Sequence, residues 1–208
     1  MHFSNKIAML VSLLCLLAGQ MQAQKFLKGT VILEGGEKIN GYIQDNDLSI
    51  YTRLIAFKED KKSDNVQVLH PEMIQGFITE NDQKYTAVSV NFEFDTKGGL
   101  THQYAGQRFA RVLQEGKISI YELRDIDVQA WFIQKEGQAI ELLSFDKKLN
   151  DSSVKLLVNN IADCGCIDYD ETLPTKISNV VATVAEYNTF TESPMFEAAA
   201  SINDSPKP

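Results

Sequence analysis

Residues 26–145 hold short apolar runs broken by glycine and charged turns, and in the cleanest of them the apolar side chains recur at every second position. A strand puts successive side chains on opposite faces, so this period selects sheet over helix. The cleanest case is Thr86 to Phe94. Val88, Val90, Phe92 and Phe94 share one face there, and Ala87, Ser89, Asn91 and Glu93 the other. Thr30–Leu33 and Ile39–Ile43 flank Glu34-Gly35-Gly36-Glu37, a hairpin signal, because glycine supplies the positive φ of a tight turn. Ala130–Gln134 and Ala139–Leu143 flank Lys135-Glu136-Gly137-Gln138 in the same way. Leu54–Phe57 and Val66–Leu69 bracket a charged loop, Met73–Thr79 is a further strand, and Lys117–Leu123 follows the turn at Glu115-Gly116. Phe109–Leu113 reads as a strand or a short helix. Many short strands at close spacing predict an antiparallel sheet or partly open β-barrel over residues 26–145.

After residue 150 the period changes. Asp151-Ser152-Ser153 offers an N-cap for a helix over about 153–162, with Val154, Leu157, Val158 and Ile161 on one face. A second helix is predicted over about 174–188. Ile177, Val180, Val181, Val184 and Tyr187 form one stripe, and Pro174 fits the first turn. The predicted fold class is therefore β-rich α+β, with two C-terminal amphipathic helices packed on the sheet or on each other. Residues 190–208, rich in Ser, Glu, Ala and Pro, read as a disordered tail.

The start of the chain carries a different signal. Lys6 precedes an apolar run from Ile7 to Ala18, and the more polar Gly19–Gln24 follows. That is the layout of a secretory signal peptide, with cleavage expected after Ala23. The run is short of the roughly 20 residues a membrane helix needs. Cys15 follows Leu13-Leu14 rather than a small residue, which argues against lipid attachment. The expected organisation is a leader over residues 1–23, one domain over 24–189 and a tail. The expected location is outside the cytoplasm: periplasmic, outer-membrane-associated or secreted. No second apolar stretch is long enough to span a bilayer as a helix.

Net charge is −8, and losing the leader removes Lys6 as well. Phosphate binding needs a clustered Lys/Arg face, so this balance argues against nucleic acid. The densest basic stretch, Lys58–Lys62, is interrupted by Glu59-Asp60 and reads as a solvated loop. Cys164-Gly165-Cys166 holds the thiols left once the leader is gone. A strained structural disulfide, two free or partner-linked thiols, and a redox pair all remain open for Cys164 and Cys166. His70 stands before Pro71, and His102 falls in a Gly-rich connection near Asp95. Spacing does not support a pairing of Ser89 with His102. No nucleophile elbow, phosphate loop, dinucleotide fingerprint or zinc-protease motif is present. Asp45-Asn46-Asp47 and Asp168–Glu171 lack the spacing of a calcium loop and read as polar loops. Trp131 and Phe132 lie on opposite faces of one strand, so one of them is a candidate for an outward or cavity-facing ring. No catalytic residue, cofactor or metal ligand is assigned.

Several segments carry a resemblance. Gly29–Leu33 with Gly41-Tyr42-Ile43, then Leu54–Phe57, His70–Phe77, Tyr85, Glu115–Tyr121 and Glu186-Tyr187-Asn188 are arranged as in a group of exported proteins of Bacteroidota whose role is uncharacterised. The chain resembles that group over about residues 26–189. The shared positions are mostly turns and strands, so the resemblance implies export and a fold rather than an activity. Two function classes follow. One is a non-enzymatic cell-envelope module that binds an envelope protein or a glycan. The other is a β-barrel that holds an apolar small molecule. An enzyme without a recognisable motif is the distant third.

Overall fold

The computed structural model describes residues 25–46, 48–95, 99–164 and 175–193. In chain order the elements are β1 (Phe26–Ile32), β2 (Lys38–Gln44), α1 (Leu48–Tyr51), β3 (Ile55–Lys58), β4 (Gln67–Leu69) and β5 (Gly76–Thr79). There follow β6 (Lys84–Asp95), β7 (Thr101–Gln114), β8 (Ile118–Arg124), β9 (Gln129–Lys135), β10 (Glu141–Ser144), α2 (Asp151–Ile161) and α3 (Ile177–Thr191). A 3-10 turn, Ala162–Cys164, follows α2. The strands form one antiparallel sheet in the order β10-β9-β8-β7-β6-β5-β1-β2-β3-β4. Two meanders thus meet where β5 lies beside β1. β1 and β2 form the hairpin that the glycine signal predicts, with Val31 paired to Ile39. Gly36, at φ +81°, lets the turn close.

The sheet curls into a half-barrel. β4 and β5 stand four strand spacings apart, about 19 Å if the sheet were flat. Residues 70–75 nevertheless join them, and part of that link is a turn in which Met73 N–H donates to the His70 carbonyl. The first strands must therefore bend round, and Val31, Ile43, Ile55, Phe57 and Phe77 fill the hollow. Farther along, Phe92 on β6 lies 5.6 Å from Phe132 on β9, ring centre to ring centre. Those strands are three positions apart, so the sheet curls there as well.

Strict alternation then places three cores on two faces. One face carries the Phe77 core and, farther along, a core of Ile118, Ile120, Trp131 and Ile133 under the helices. The other face carries Val88, Val90, Ala110, Leu123 and Phe132. Neighbouring residues such as Phe109 and Ala110 consequently belong to different cores.

The helices close one face. α3 buries Ile177, Val180, Val184 and Tyr187, the predicted stripe. Its other tie is polar. Asn188 Oδ1 accepts from Ile118 N–H at 2.9 Å, and its Nδ2 donates to the Ile118 carbonyl at 2.8 Å. One side chain thus completes a piece of strand ladder.

Several expectations need correction. Met73–Thr79 is a strand only over Gly76–Thr79, because His70–Met73 turns. Phe109–Leu113 is the end of a long strand, and His102 lies within that strand opposite Phe94 rather than in a loop. Pairing with β6 supplies the hydrogen bonds that local sequence did not promise. Asn150, not Asp151-Ser152-Ser153, caps α2 by accepting from Ser153 N–H at 2.9 Å. The buried face of α2 is Ser153, Leu157, Asn160 and Ile161. It is more polar than predicted because Ser153 Oγ donates to the Leu143 carbonyl on β10. α3 begins at Ile177 and runs through Thr191, past the predicted end. Thr191 is buried and its Oγ1 donates to the Tyr187 carbonyl. The leader, most of the tail, Pro174, Cys166 and Asp168–Glu171 lie outside the described residues, as does the Cys164 side chain.

Candidate functional site

One cross-strand row decides where a ligand could enter. Tyr85 on β6 pairs with Arg111 on β7, Arg111 with Glu122 on β8, and Glu122 with Trp131 on β9. Side chains in such a row share one face and touch. The row therefore sets a charged pair between the Phe77 core and the core under the helices. Glu122 is almost fully buried. Its carboxylate accepts from Arg111 Nη2, from Gln129 Nε2 at 2.6 Å and from Arg124 Nη2 at 3.4 Å. Arg111 Nε is buried with no acceptor, alone among the buried side-chain nitrogens and oxygens of the described residues. A buried unpaired donor is costly, and such groups in native structures call for a reason.

That pair forms one wall of a cleft of about 740 Å³ between β7–β9, the loop after β10 and the start of α3. Arg111, Arg124, Lys147, Lys148 and Lys176 supply positive charge, against Glu122 alone. Leu113, Trp131, Ile177 and Val181 form the apolar floor. The first turn of α3 holds no acidic residue, and its N-cap, Lys176, makes no side-chain capping bond. The positive end of that helix dipole thus adds to the charge.

A wider groove of about 1130 Å³ begins on the other side of Gln129. Glu93, Asp95, Asp127 and Asp146 line it, with Phe94, Ile126 and Phe145. Carboxylates are what a chain of charge −8 exposes in any case. Five cations gathered over an apolar floor are not, and the smaller cleft is the candidate site.

A second buried carboxylate has a different job. Asp125 accepts from Tyr104 Oη, from Arg53 Nε at 3.0 Å and from Ile126 N–H at 2.7 Å. Thr52 beside it donates through Oγ1 to the Arg124 carbonyl at 2.5 Å. Together they pin the α1 corner to the β8–β9 turn. Burial pushes the Asp125 carboxyl up, but the Tyr104 and Arg53 bonds outweigh it and hold the pKa below the ordinary value. Burial and the Asp125 bond push the Tyr104 hydroxyl up to about 12. Asp125→Asn should cost about 1–3 kcal/mol at neutral pH, since the Tyr104 hydroxyl and the Arg53 guanidinium lose a charged acceptor. A depressed carboxylate pKa stabilises the fold above the unfolded value of about 3.9 and ceases to do so as pH falls through the folded value. The stability gap between parent and variant, from urea melts across pH, should be full above that range and close below it. A gap independent of pH would refute the assignment.

Among the described residues, none of those singled out from sequence for chemistry meets another in a site. His70 and His102 are both exposed, and His102 stacks on Phe94 with ring centres 5.9 Å apart. Ser89 pairs with Gln107 and His102 with Phe94, five rows away along the hairpin, about 17 Å. Asp45 pairs with Lys25 at 3.4 Å. Among the described residues no group of His, Cys, Asp or Glu is arranged to hold a metal ion. Trp131 and Phe132 are both buried, on opposite faces, because the sheet is covered on both sides at β9. Trp131 is the one earlier candidate that borders the cleft. The cations went unnoticed because they come from β7, β8, the β10–α2 loop and the start of α3. Their only trace in sequence is a charge at an inward position of an alternating run: Arg111 in Phe109–Leu113 and Glu122 in Ile118–Leu123.

Fold and cleft define a β-rich α+β protein, an open curled sheet with one face closed by two C-terminal helices and a cationic cleft where the second begins. The chain matches no protein-family model, no curated protein and no solved structure. No helix among the described residues is long and apolar enough to cross a membrane.

Proposed function

We propose that the protein is a non-enzymatic binding module of the cell envelope, exported by the leader at residues 1–23, and that it takes its ligand in the cleft beside α3. The observation that carries this is the charge contrast. Five cationic side chains face one carboxylate over an apolar floor, in a chain whose net charge is −8. The volume falls in the range of small-molecule sites, about 300–1,000 Å³. The chemistry at the site favours holding over reacting. Histidine and cysteine are missing from the described lining, and Glu122 is already engaged by three donors.

A second reading has its own support. β4 is an edge strand, and Val66 and Val68 beside its open side are 40% and 49% exposed. An edge of that kind accepts a strand from another protein. This is the envelope-protein partner expected from sequence.

Native mass spectrometry of the protein purified gently from its own cells separates the two. The expected spectrum shows a mature chain starting at Gln24 with a small-molecule adduct, and Lys147→Glu/Lys176→Glu loses the adduct. A bare chain, an adduct that survives the double variant, or a co-purifying protein would overturn the cleft reading.

A further inference from the structure

The cleft's own chemistry narrows the ligand. We infer that it takes the carboxylate end of a single-chain amphiphile, with the head among Arg111, Arg124 and the three lysines and the body over the apolar floor. This rests on the cleft being the binding site.

Four observations support it. The first is the charge, which demands an anion. The second is Glu122 itself, held by two guanidiniums and an amide. These donors already suit a carboxylate. The third is the floor of Leu113, Trp131, Ile177 and Val181, which a hydrophilic anion would leave unused. The fourth concerns the backbone. β7, β8 and β9 each pair on both sides, so the cleft presents no open strand edge to a peptide. An acidic peptide would meet only side chains there, whereas a small amphiphile needs nothing else.

Trp131 lies in the cleft and is the only tryptophan in the chain, so its emission reports on this site alone. The experiment titrates the folded chain with decanoate below its micelle concentration, and in parallel with decanol, decyltrimethylammonium and acetate. Decanoate should give a saturable change in Trp131 emission. The neutral, cationic and headgroup-only probes should bind at least about tenfold more weakly, and decanoate affinity should fall as salt rises. Lys147→Glu/Lys176→Glu should weaken decanoate by about tenfold or more. Lys61→Glu/Lys155→Glu, at exposed positions outside the cleft, changes net charge equally and should leave affinity unaltered.

Equal binding of decanol would overturn the carboxylate assignment and leave the cleft standing as an apolar site. Silence of Trp131 toward decanoate would overturn it too. If native spectra still showed an adduct that depends on Lys147 and Lys176, the cleft would stand with another ligand class. If they showed none, the binding reading would fall with it.

Discussion

Replacing Asn188 by alanine should lower stability by about 3 kcal/mol, roughly 6–12 °C in Tm for a chain of this size. The side chain is 3% exposed, and both ends of its amide are used by Ile118. Alanine leaves a buried N–H and a buried carbonyl without partners, each costing about 1–3 kcal/mol. Asn188→Asp would keep the acceptor and lose the donor, because a carboxylate only accepts. The site is specific on the sheet side as well. Gly116 sits at φ +154°, and a Cβ there would collide with the Asn188 side chain. The glycine thus admits the helix residue that completes the ladder. Urea melts check the value. A loss under about 0.5 kcal/mol would mean that water replaces the amide freely, and that α3 is held by its apolar stripe alone. Because α3 forms one wall of the cleft, Asn188→Ala should also alter Trp131 emission in the folded state.

Phe77→Ala should cost more, about 3–5 kcal/mol, and act on a different part of the molecule. Phe77 is fully buried. Its ring stacks on Tyr85 at 4.6 Å and meets Phe109 edge-on at 5.1 Å and Tyr51 at 5.6 Å. Removing it opens a cavity in the hollow of the first strands, where four aromatic rings support one another. The Arg111–Glu122 row separates that core from the one under the helices. The folded variant should therefore keep the parent's Trp131 emission and its cleft binding, although it melts much lower. Loss of binding in proportion to lost stability would show that the two cores act as one, and that the charged row is not a boundary.

The strands and hairpins were legible because their signal is local. The turn at Gly35-Gly36, the loop between Leu54–Phe57 and Val66–Leu69, and the Lys135–Gln138 turn all join neighbours in sequence. The α3 stripe was equally plain, since Ile177, Val180, Val184 and Tyr187 meet one partner surface. The failures are non-local. By sequence His102 falls in a Gly-rich connection, and only pairing with β6 makes Thr101–Gln107 a strand. Asn160 and Ser153 on α2 are buried against a periodicity that named Val154 and Val158, because β10 offers a carbonyl for Ser153 to bond.

The candidate site belongs wholly to that second kind. Arg111, Arg124, Lys147, Lys148 and Lys176 are scattered over a third of the chain, and apart from the inward position of Arg111 none stands out in its own segment. Sequence by itself determined an antiparallel sheet, its hairpins, two amphipathic helices and an acidic balance, because period and turn chemistry act between near neighbours. Only the tertiary structure decided that the sheet curls, that its alternating faces divide into three cores, and that five cations converge beside Trp131. Which faces meet depends on strand order and curl, and those are set by burial summed over the whole chain.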